Sequence, residues 1–518
     1  MTAFVPGGPE RFAHQMQGLR DVIANRGVHA LLFDPGCGKT AVGLDYSSLL
    51  AMKAAEAGRP ARVLVLGPLA AVDTWIDQSE AFVAEPVEVR AEVLGGSIKQ
   101  KAEALRARGQ GDYKTGMRRS PALLARRGAS SARLDLLSLN LDSFASRQVV
   151  NGRSKTAADV IVDGVRAFQP DLLIVDEMHR LKGHTSNTSR AISRLTRYVP
   201  RRLGLTGTVM PHSPLDVFGQ WRFLDPEEFG ASFGQFKARY AVMGGFMGRE
   251  ARGFVNLDEL QDKMAKRSTV ARKTEVLDLP EVTDTILRVD LSSAERRAYE
   301  DMKDRLAVNL ANGTLAAAPN RLAQLMRLRQ ITSGYLPDDQ GGINILGTSK
   351  ARVIRSLVHD TLAGEDRLVV FAHFRHDIDV LATALSGPGT EVVTITGDTP
   401  KDERRLIRKR FGSDDPARIV LIAQIKTMSL AVNELVTASH AIFASLPQQR
   451  DDIEQARARL DRQGQIKPVT IWTAVAPGTV DAVILRAYRE RTNVEAAVLS
   501  HIAGQPVDAF TLGAPVLT

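Results

Sequence analysis

Short apolar runs rich in β-branched residues recur along this chain in two series of five, with helix-like stretches between the runs. The first series is His29–Phe33, Arg62–Leu66, Leu134–Leu139, Asp171–Val175 and Arg202–Thr206. The second is Arg367–Phe374, Glu391–Thr396, Arg418–Ala423, His440–Ser445 and Val469–Val475. Runs of this kind read as parallel strands, which helices cover on both faces. Two series therefore predict two α/β domains, each a doubly wound parallel sheet. A chain of 518 residues is long enough for both, and its apolar fraction of 44% supplies two cores.

The stretch from about Pro211 to Gly347 separates the series. It opens with Phe218, Trp221, Phe223, Phe229, Phe233, Phe236 and Tyr240. A packed core is the favoured reading of these rings, with a base-stacking platform as the alternative. Further on, Leu322, Leu325, Met326 and Leu328 are spaced for one helix face. The expected organisation is a first lobe over 1–280, a mostly helical insertion over 281–347, a second lobe over 348–495 and a tail over 496–518.

The first run leads into Asp34-Pro35-Gly36-Cys37-Gly38-Lys39-Thr40 and then a helical stretch, Ala41–Leu50. Strand, glycine loop, Lys-Thr and helix is the order a triphosphate site requires. Gly36 and Gly38 let backbone N–H groups, Cys37's among them, approach phosphates, and the helix N-terminus favours an anion. Lys39 can reach the β and γ phosphates, and the Thr40 hydroxyl can ligate Mg²⁺. The strict motif has a further glycine where this chain has Phe33, so only the relaxed Gly-x-Gly-Lys-Thr form is present.

The fourth run ends in Asp176-Glu177-Met178-His179. Carboxylates at the C-terminal end of a parallel strand sit where such sheets bind ligands. Asp176 can hold Mg²⁺, and Glu177 can orient and deprotonate an attacking water. Phosphoryl transfer needs positioning and charge neutralisation, which these groups supply. His179 lacks the companions of a zinc ligand. In the second series, Gln455, Arg459 and Arg462 fall at i, i+4 and i+7, one face of a predicted helix that can present two guanidiniums to a γ-phosphate.

The formal net charge is +9. Between Ile98 and Arg133 ten Lys/Arg stand against Glu103 and Asp112, which leaves +8 in this one insert. It reads either as a solvated helix and loop or as a phosphate-contacting patch. The single cysteine, Cys37, excludes an intrachain disulfide and fits a reducing compartment. Beside Lys39 and a helix start its thiol is a candidate for a lowered pKa, blocked by alkylation and protected by Mg-ATP; an inert small residue is the alternative. No targeting segment or long apolar span is evident, so a cytoplasmic protein is expected. The Ala- and Arg-rich composition points to a bacterial or bacteriophage source.

These motifs, with seven further stretches, resemble the superfamily-two helicases, and most closely the Swi/Snf-type DNA translocases. The stretches are Arg11–Gln15; Val63–Pro68 with Trp75; Arg180-Leu-Lys-Gly; Leu205–Thr208 continuing through Asp216 to Phe229; Arg272-Lys-Thr with Leu279-Pro280, then Leu328–Gly334; Val370–Phe374; and Gln455–Gln465. The likeness runs over roughly residues 10 to 490 in the family order. It implies two RecA-like lobes, ATP and Mg²⁺ as cofactors, and DNA, duplex or branched, as the track of a monomeric motor. It implies that Gln15 reads adenine, that Gln455 contacts the nucleotide, and that Arg459 and Arg462 act as arginine fingers. It assigns coupling to His179, Thr206, Gly207 and Thr208. It assigns nucleic-acid contacts to Pro68, Trp75, His373, Thr396, Gly397 and Thr427, joined by Arg118, Arg119, Arg126 and Arg127 of the basic insert. The chain departs from the family pattern at Val209, His212, Ser429, Leu430 and Asp461. The function expected is an ATP-dependent DNA helicase or translocase. An RNA helicase on the same lobes and a hydrolysis-poor nucleic-acid binder are the alternatives.

Overall fold

The computed structural model describes residues 6–517 apart from 70, 113–117, 120–131, 146–155, 212, 245–249, 312–317, 339, 341, 416, 428–433, 491, 493 and 503–515. The chain divides into two compact units, Met1–Asp278 and Leu279–Thr518.

The first unit carries strands β1 Val28–Phe33, β2 Ala61–Gly67, β3 Glu88–Val93, β4 Arg118–Arg119, β5 Arg133–Asn140, β6 Leu172–Asp176, β7 Arg202–Leu205, a β8–β9 hairpin (Ala241–Gly244 and Glu250–Phe254) and β10 Ser268–Ala271. The main sheet has the order β10-β1-β7-β6-β2-β5-β3-β4. Its pairings are parallel except for β4, which runs antiparallel to β3. Alternation along β2 splits the core between two faces. Val63 and Val65 pack with Leu31, Phe33, Val42 and Trp75 on one side. Leu64 and Leu66 pack with Phe168, Ile192 and Trp221 on the other. The aromatic cluster belongs to that second face: Phe218, Trp221, Phe223, Phe236 and Tyr240 are buried, and Phe218 meets Phe233 at 5.3 Å between centroids. It is packed core, and none of these five buried rings is available to stack a base.

The second unit repeats the scheme with β11 Val282–Arg288, a β12–β13 hairpin (Tyr335–Pro337 and Ile343–Ile345), β14 Arg367–Ala372, β15 Thr390–Ile395, β16 Arg418–Gln424, β17 His440–Phe443, β18 Val469–Val475 and β19 Val516–Leu517. The order is β15-β16-β14-β17-β18-β11-β19, parallel throughout. All ten expected strands form, within two residues of their expected limits. Two α/β units with parallel sheets are thus the fold.

The segment expected to be a helical insertion opens instead with a strand. Val282–Arg288, with polar Thr283-Asp284-Thr285 ahead of Ile286-Leu287, adds to the second sheet as β11, before helices Ser293–Ala311 and Ala318–Thr332. Within the tail, Val516–Leu517 pairs with β11. The basic insert is partly internal. Helix Ile98–Gly109, capped by Ser97, buries Arg108, whose Nε donates to Glu92 Oε2 at 2.9 Å. Lys101 Nζ donates to Ser143 Oγ at 2.9 Å. Arg118 and Arg119 form β4 at the sheet edge, and Arg126 and Arg127 lie outside the described residues.

Candidate active site

Helix α1 (Ala13–Ala24) and helix α2 (Lys39–Ala55) frame the phosphate loop. Gly38 caps α2 with φ +80°, and a Cβ there would lie 2.1 Å from the Gln15 amide nitrogen. Only glycine fits, because the left-handed region penalises other residues and the space is filled. Lys39 folds back over the loop, its Nζ donating to Phe33 O at 2.7 Å and Asp34 O at 3.3 Å. Those carbonyls hold the ammonium where a phosphate would replace them. Thr40 stands in the first turn of α2, directly after the loop. Phe33, which takes the place of the strict motif's first glycine, is fully buried; it packs on α1 at Gly18 and meets His14 edge-on at 5.5 Å.

Gln15 is buried and serves the loop itself. Its Nε2 donates to Cys37 O at 3.2 Å and its Oε1 accepts from Phe12 N at 3.2 Å. His14 Nε2 reaches the same Cys37 carbonyl at 2.9 Å. The Cys37 side chain lies in the core and is 0% exposed. The reading of Cys37 as a reactive thiol is therefore corrected: a buried thiol packed among Leu19, Val42 and Leu205 is a small apolar residue, closed to an alkylating reagent.

Asp176 and Glu177 lie at the end of β6, one strand from β7 and two from β1. Asp176 Oδ1 accepts from Glu177 N at 3.0 Å, and Oδ2 accepts from Trp75 Nε1 at 3.0 Å. Burial, with the Glu177 carboxylate beside it, pushes Asp176 up to about 6. A bound cation opposes that shift. Glu177 takes the left-handed conformation, φ 54° and ψ 53°, uncommon for a residue with a side chain. Its Oε2 lies 3.2 Å from His179 Nδ1, and that same nitrogen lies 2.9 Å from Thr206 Oγ1. Thr206 in turn accepts from Thr208 N at 3.1 Å. Gly207 sits against the phosphate loop, where a Cβ would come within 2.9 Å of Pro35 Cδ. All four residues assigned to coupling are thus brought together with Glu177 and the loop.

In the second unit, helix Arg450–Leu460 carries Gln455 and Arg459 one turn apart, both half-buried. Arg462 departs from the expected face. The helix ends at Leu460, Asp461 leaves helical geometry, and Arg462 lies in the following turn. Burial lowers the Arg462 pKa, with Glu434 opposing. Arg457, which the spacing did not single out, binds both oxygens of Asp284 on β11 and ties this helix to the sheet.

A model of the SNF2-related domain matches residues 14–334, and one of the helicase conserved C-terminal domain matches residues 349–464. The first match alone covers more than half of the chain. The chain belongs to the SNF2-related family. Among its relatives is the probable ATP-dependent DNA helicase CHR12 of Arabidopsis thaliana, 24% identical over 95% of this chain and 42% of that protein. Another is the DNA annealing helicase and endonuclease ZRANB3 of Bos taurus, 25% identical over 67% of this chain and 32% of its own. The chain thus spans less than half the length of these curated relatives. A solved Sulfolobus solfataricus SWI2/SNF2 ATPase core in complex with dsDNA covers 95% of this chain and 94% of its own at 18% identity, with a TM-score of 0.38.

Within this SNF2-related chain, the residues assigned to nucleic acid divide. His373, Thr396, Gly397 and Thr427 gather around Gln424, at the end of β16. Gln424 Oε1 accepts from Gly397 N at 3.1 Å, its backbone carbonyl accepts from Thr427 Oγ1 at 2.7 Å, and its Nε2 donates to His373 O at 3.5 Å. Burial, then Arg329 and Lys426, lowers the His373 imidazole to about 3, so it is neutral at physiological pH. Thr396 closes its own turn on Thr399. Pro68 is half-buried, followed by an exposed Leu69. Trp75 is 0% exposed, which corrects its assignment: a ring inside the core cannot touch a nucleic-acid backbone. Ser429, Leu430 and His212 lie outside the described residues.

The spacing also missed Gln424, His14 and Asp34. Asp34 Oδ2 accepts from Lys273 N at 2.9 Å, which ties the Arg272-Lys-Thr segment to the phosphate loop. Asp34 and Gln424 each directly follow an apolar run, and His14 gave no sign beyond its place in the Arg11–Gln15 stretch. Among the described residues, no helix is long and apolar enough to cross a membrane.

Proposed function

We propose that this protein hydrolyses ATP and uses the energy to move along DNA, duplex or branched. One observation carries the reading: the phosphate loop of Gly38, Lys39 and Thr40 and the carboxylates Asp176 and Glu177 end nearby strands of one parallel sheet, with the coupling residue Gly207 packed against the loop. The donors fit a magnesium nucleotide. Thr40 and Asp176 offer only oxygen, the chemistry a small hard dication takes, and one or two protein ligands suffice when phosphates and water complete its shell. Bound Mg²⁺ supplies charge neutralisation at the phosphates. Lys39 moves from the loop carbonyls to the β and γ phosphates. Glu177 accepts the proton of the attacking water. Arg459 and Arg462 supply positive charge as the phosphoryl group transfers, Gln455 contacts the nucleotide, and Gln15 shifts from Cys37 O to the adenine edge.

Membership of the SNF2-related family and relatives named as DNA helicases support DNA over RNA as the track. We read the protein as a monomeric cytoplasmic enzyme, and its Ala- and Arg-rich composition supports a bacterial or bacteriophage source. The deciding measurement is steady-state ATPase activity with duplex DNA, single-stranded DNA or RNA added. Stimulation by DNA is expected, and stimulation by RNA alone would overturn the reading. No hydrolysis with any of the three establishes the hydrolysis-poor binder instead.

The basic insert supplies a second measurement. Arg118, Arg119, Arg126 and Arg127 are proposed to neutralise backbone phosphates. Replacing all four with Ala flattens the plot of log affinity against log salt by about 0.9 for each phosphate left without its cation. An unchanged slope in a fluorescence-anisotropy titration removes the segment from the interface.

A further inference from the structure

Trp75 stands in helix α3 (Val72–Phe82), shortly beyond the end of β2. Its burial is not ordinary core filling, because each end of the indole meets a part of the nucleotide site. The N–H donates to Asp176 Oδ2 at 3.0 Å. The far edge of the six-membered ring lies over Gly43 of α2, where a Cβ would approach Cη2 to 2.8 Å. Gly43 is four residues, about one turn, beyond Lys39. The glycine therefore opens the slot that the indole fills, and the slot fixes where the N–H points. The other Asp176 oxygen already accepts from Glu177 N at 3.0 Å. With both oxygens tied, the carboxylate plane has one orientation. Gly67 completes the seat, since a Cβ there would contact Asp176 Cβ at 3.5 Å.

We propose that Trp75 is a positioning residue for the divalent cation: its indole N–H orients the Asp176 carboxylate, and its ring registers that carboxylate against the phosphate-loop helix. An indole suits this role. It donates one bond, accepts none and carries no charge, so it orients the carboxylate without cancelling the negative charge that a cation needs. A bond to an ionised acceptor is among the stronger kinds, and partners that orient metal ligands typically govern about 10–100-fold in metal affinity. The proposal rests on the magnesium-nucleotide reading above.

The test uses the full chain and mant-ADP, followed by mant fluorescence, in EDTA and across a Mg²⁺ titration. In Trp75→Phe the donor is gone, and the shorter phenyl ring also withdraws from the part of the slot beside Gly43. The expected result is an unchanged mant-ADP affinity in EDTA and a half-saturating Mg²⁺ concentration raised about tenfold or more. Placing 3-benzothienylalanine at position 75 keeps the bicyclic shape, replaces N–H with sulfur and isolates the hydrogen bond from packing; the same rise is expected. A merely structural role predicts equal losses with and without Mg²⁺. A wild-type Mg²⁺ response in the benzothienyl variant overturns the proposal. Wild-type protein that binds no mant-ADP overturns the nucleotide-site reading, and wild-type protein that binds it no better with Mg²⁺ than with EDTA overturns the magnesium part of that reading; this proposal falls with either.

Discussion

Replacing Glu177 with Gln is expected to lower DNA-stimulated ATP turnover by about 10²–10⁴-fold, the contribution of a positioned general base, while nucleotide affinity stays near that of the parent. The amide keeps the shape of the carboxylate and can still bond a water, but it cannot take up the proton. The backbone makes this substitution more informative than a truncation. Glu177 sits at φ 54°, held there because its N–H is captured by Asp176 Oδ1. A left-handed residue with a side chain stores about 1–3 kcal/mol of strain. Glu177→Gly would release that strain and let the loop re-aim, mixing two effects. Glu177→Gln leaves the strain, the Asp176 bond and the path toward His179 in place. Single-turnover hydrolysis and mant-ATP binding, measured together, separate chemistry from affinity. Parental turnover in the Gln variant would move the base to another residue.

The same corner shows what the linear sequence reveals. Asp176 and Glu177 were legible because an apolar run, Leu172–Val175, ends on them, and a buried parallel strand must place its next residues at the ligand-binding edge of the sheet. Gly38 and Lys39 were legible for the same reason after β1. Trp75 was not. Its role depends on Gly43, 32 positions earlier, leaving a slot, and on β2 lying beside β6, a neighbour relation that no local spacing encodes. Cys37 misled because adjacency to Lys39 in the chain suggested a shared environment, whereas the tight loop sends the thiol into the core and the ammonium back over the loop carbonyls. Arg462 misled because the i, i+4, i+7 pattern was extended two residues past Leu460, where the helix ends. Strands β3, β10 and β11 were missed because Glu88–Val93, Ser268–Ala271 and Val282–Arg288 are short or interleaved with polar residues; they join the sheets toward their edges, where one face needs less apolar cover. The basic insert divides for a related reason. Arg108 follows a helical period that turns it onto Glu92, while charge counting treats every cation alike.

Replacing Arg11 with Ala is expected to destabilise the first unit by about 3–5 kcal/mol, the usual result of removing one partner of a buried ion pair. Arg11 and Asp45 are both almost completely buried, and the guanidinium grips both carboxylate oxygens, Nε to Oδ2 at 2.8 Å and Nη2 to Oδ1 at 2.9 Å. It also donates to Gly7 O at 2.9 Å and lies over the Phe82 ring at 4.9 Å. The pair fastens the start of α1 to α2, and so holds His14 and Gln15 against the Cys37 carbonyl. Burial raises the Asp45 pKa, and the Arg11 bond restrains that rise. Without Arg11 the folded-state pKa climbs further above its unfolded value. An acid that is easier to protonate in the folded state gains stability as pH falls. The deficit of the Arg11→Ala variant is therefore largest at neutral pH and above, and shrinks as the pH drops through the raised Asp45 pKa. Urea unfolding followed by tryptophan emission checks this, since Trp75 and Trp221 both lie in the first unit. Pairing Arg11→Met with Asp45→Leu should recover most of the loss, because the uncompensated buried carboxylate, more than the missing attraction, is what weakens the single variant. A single variant as stable as the parent at pH 8 would show that water reaches Asp45 when the guanidinium is gone.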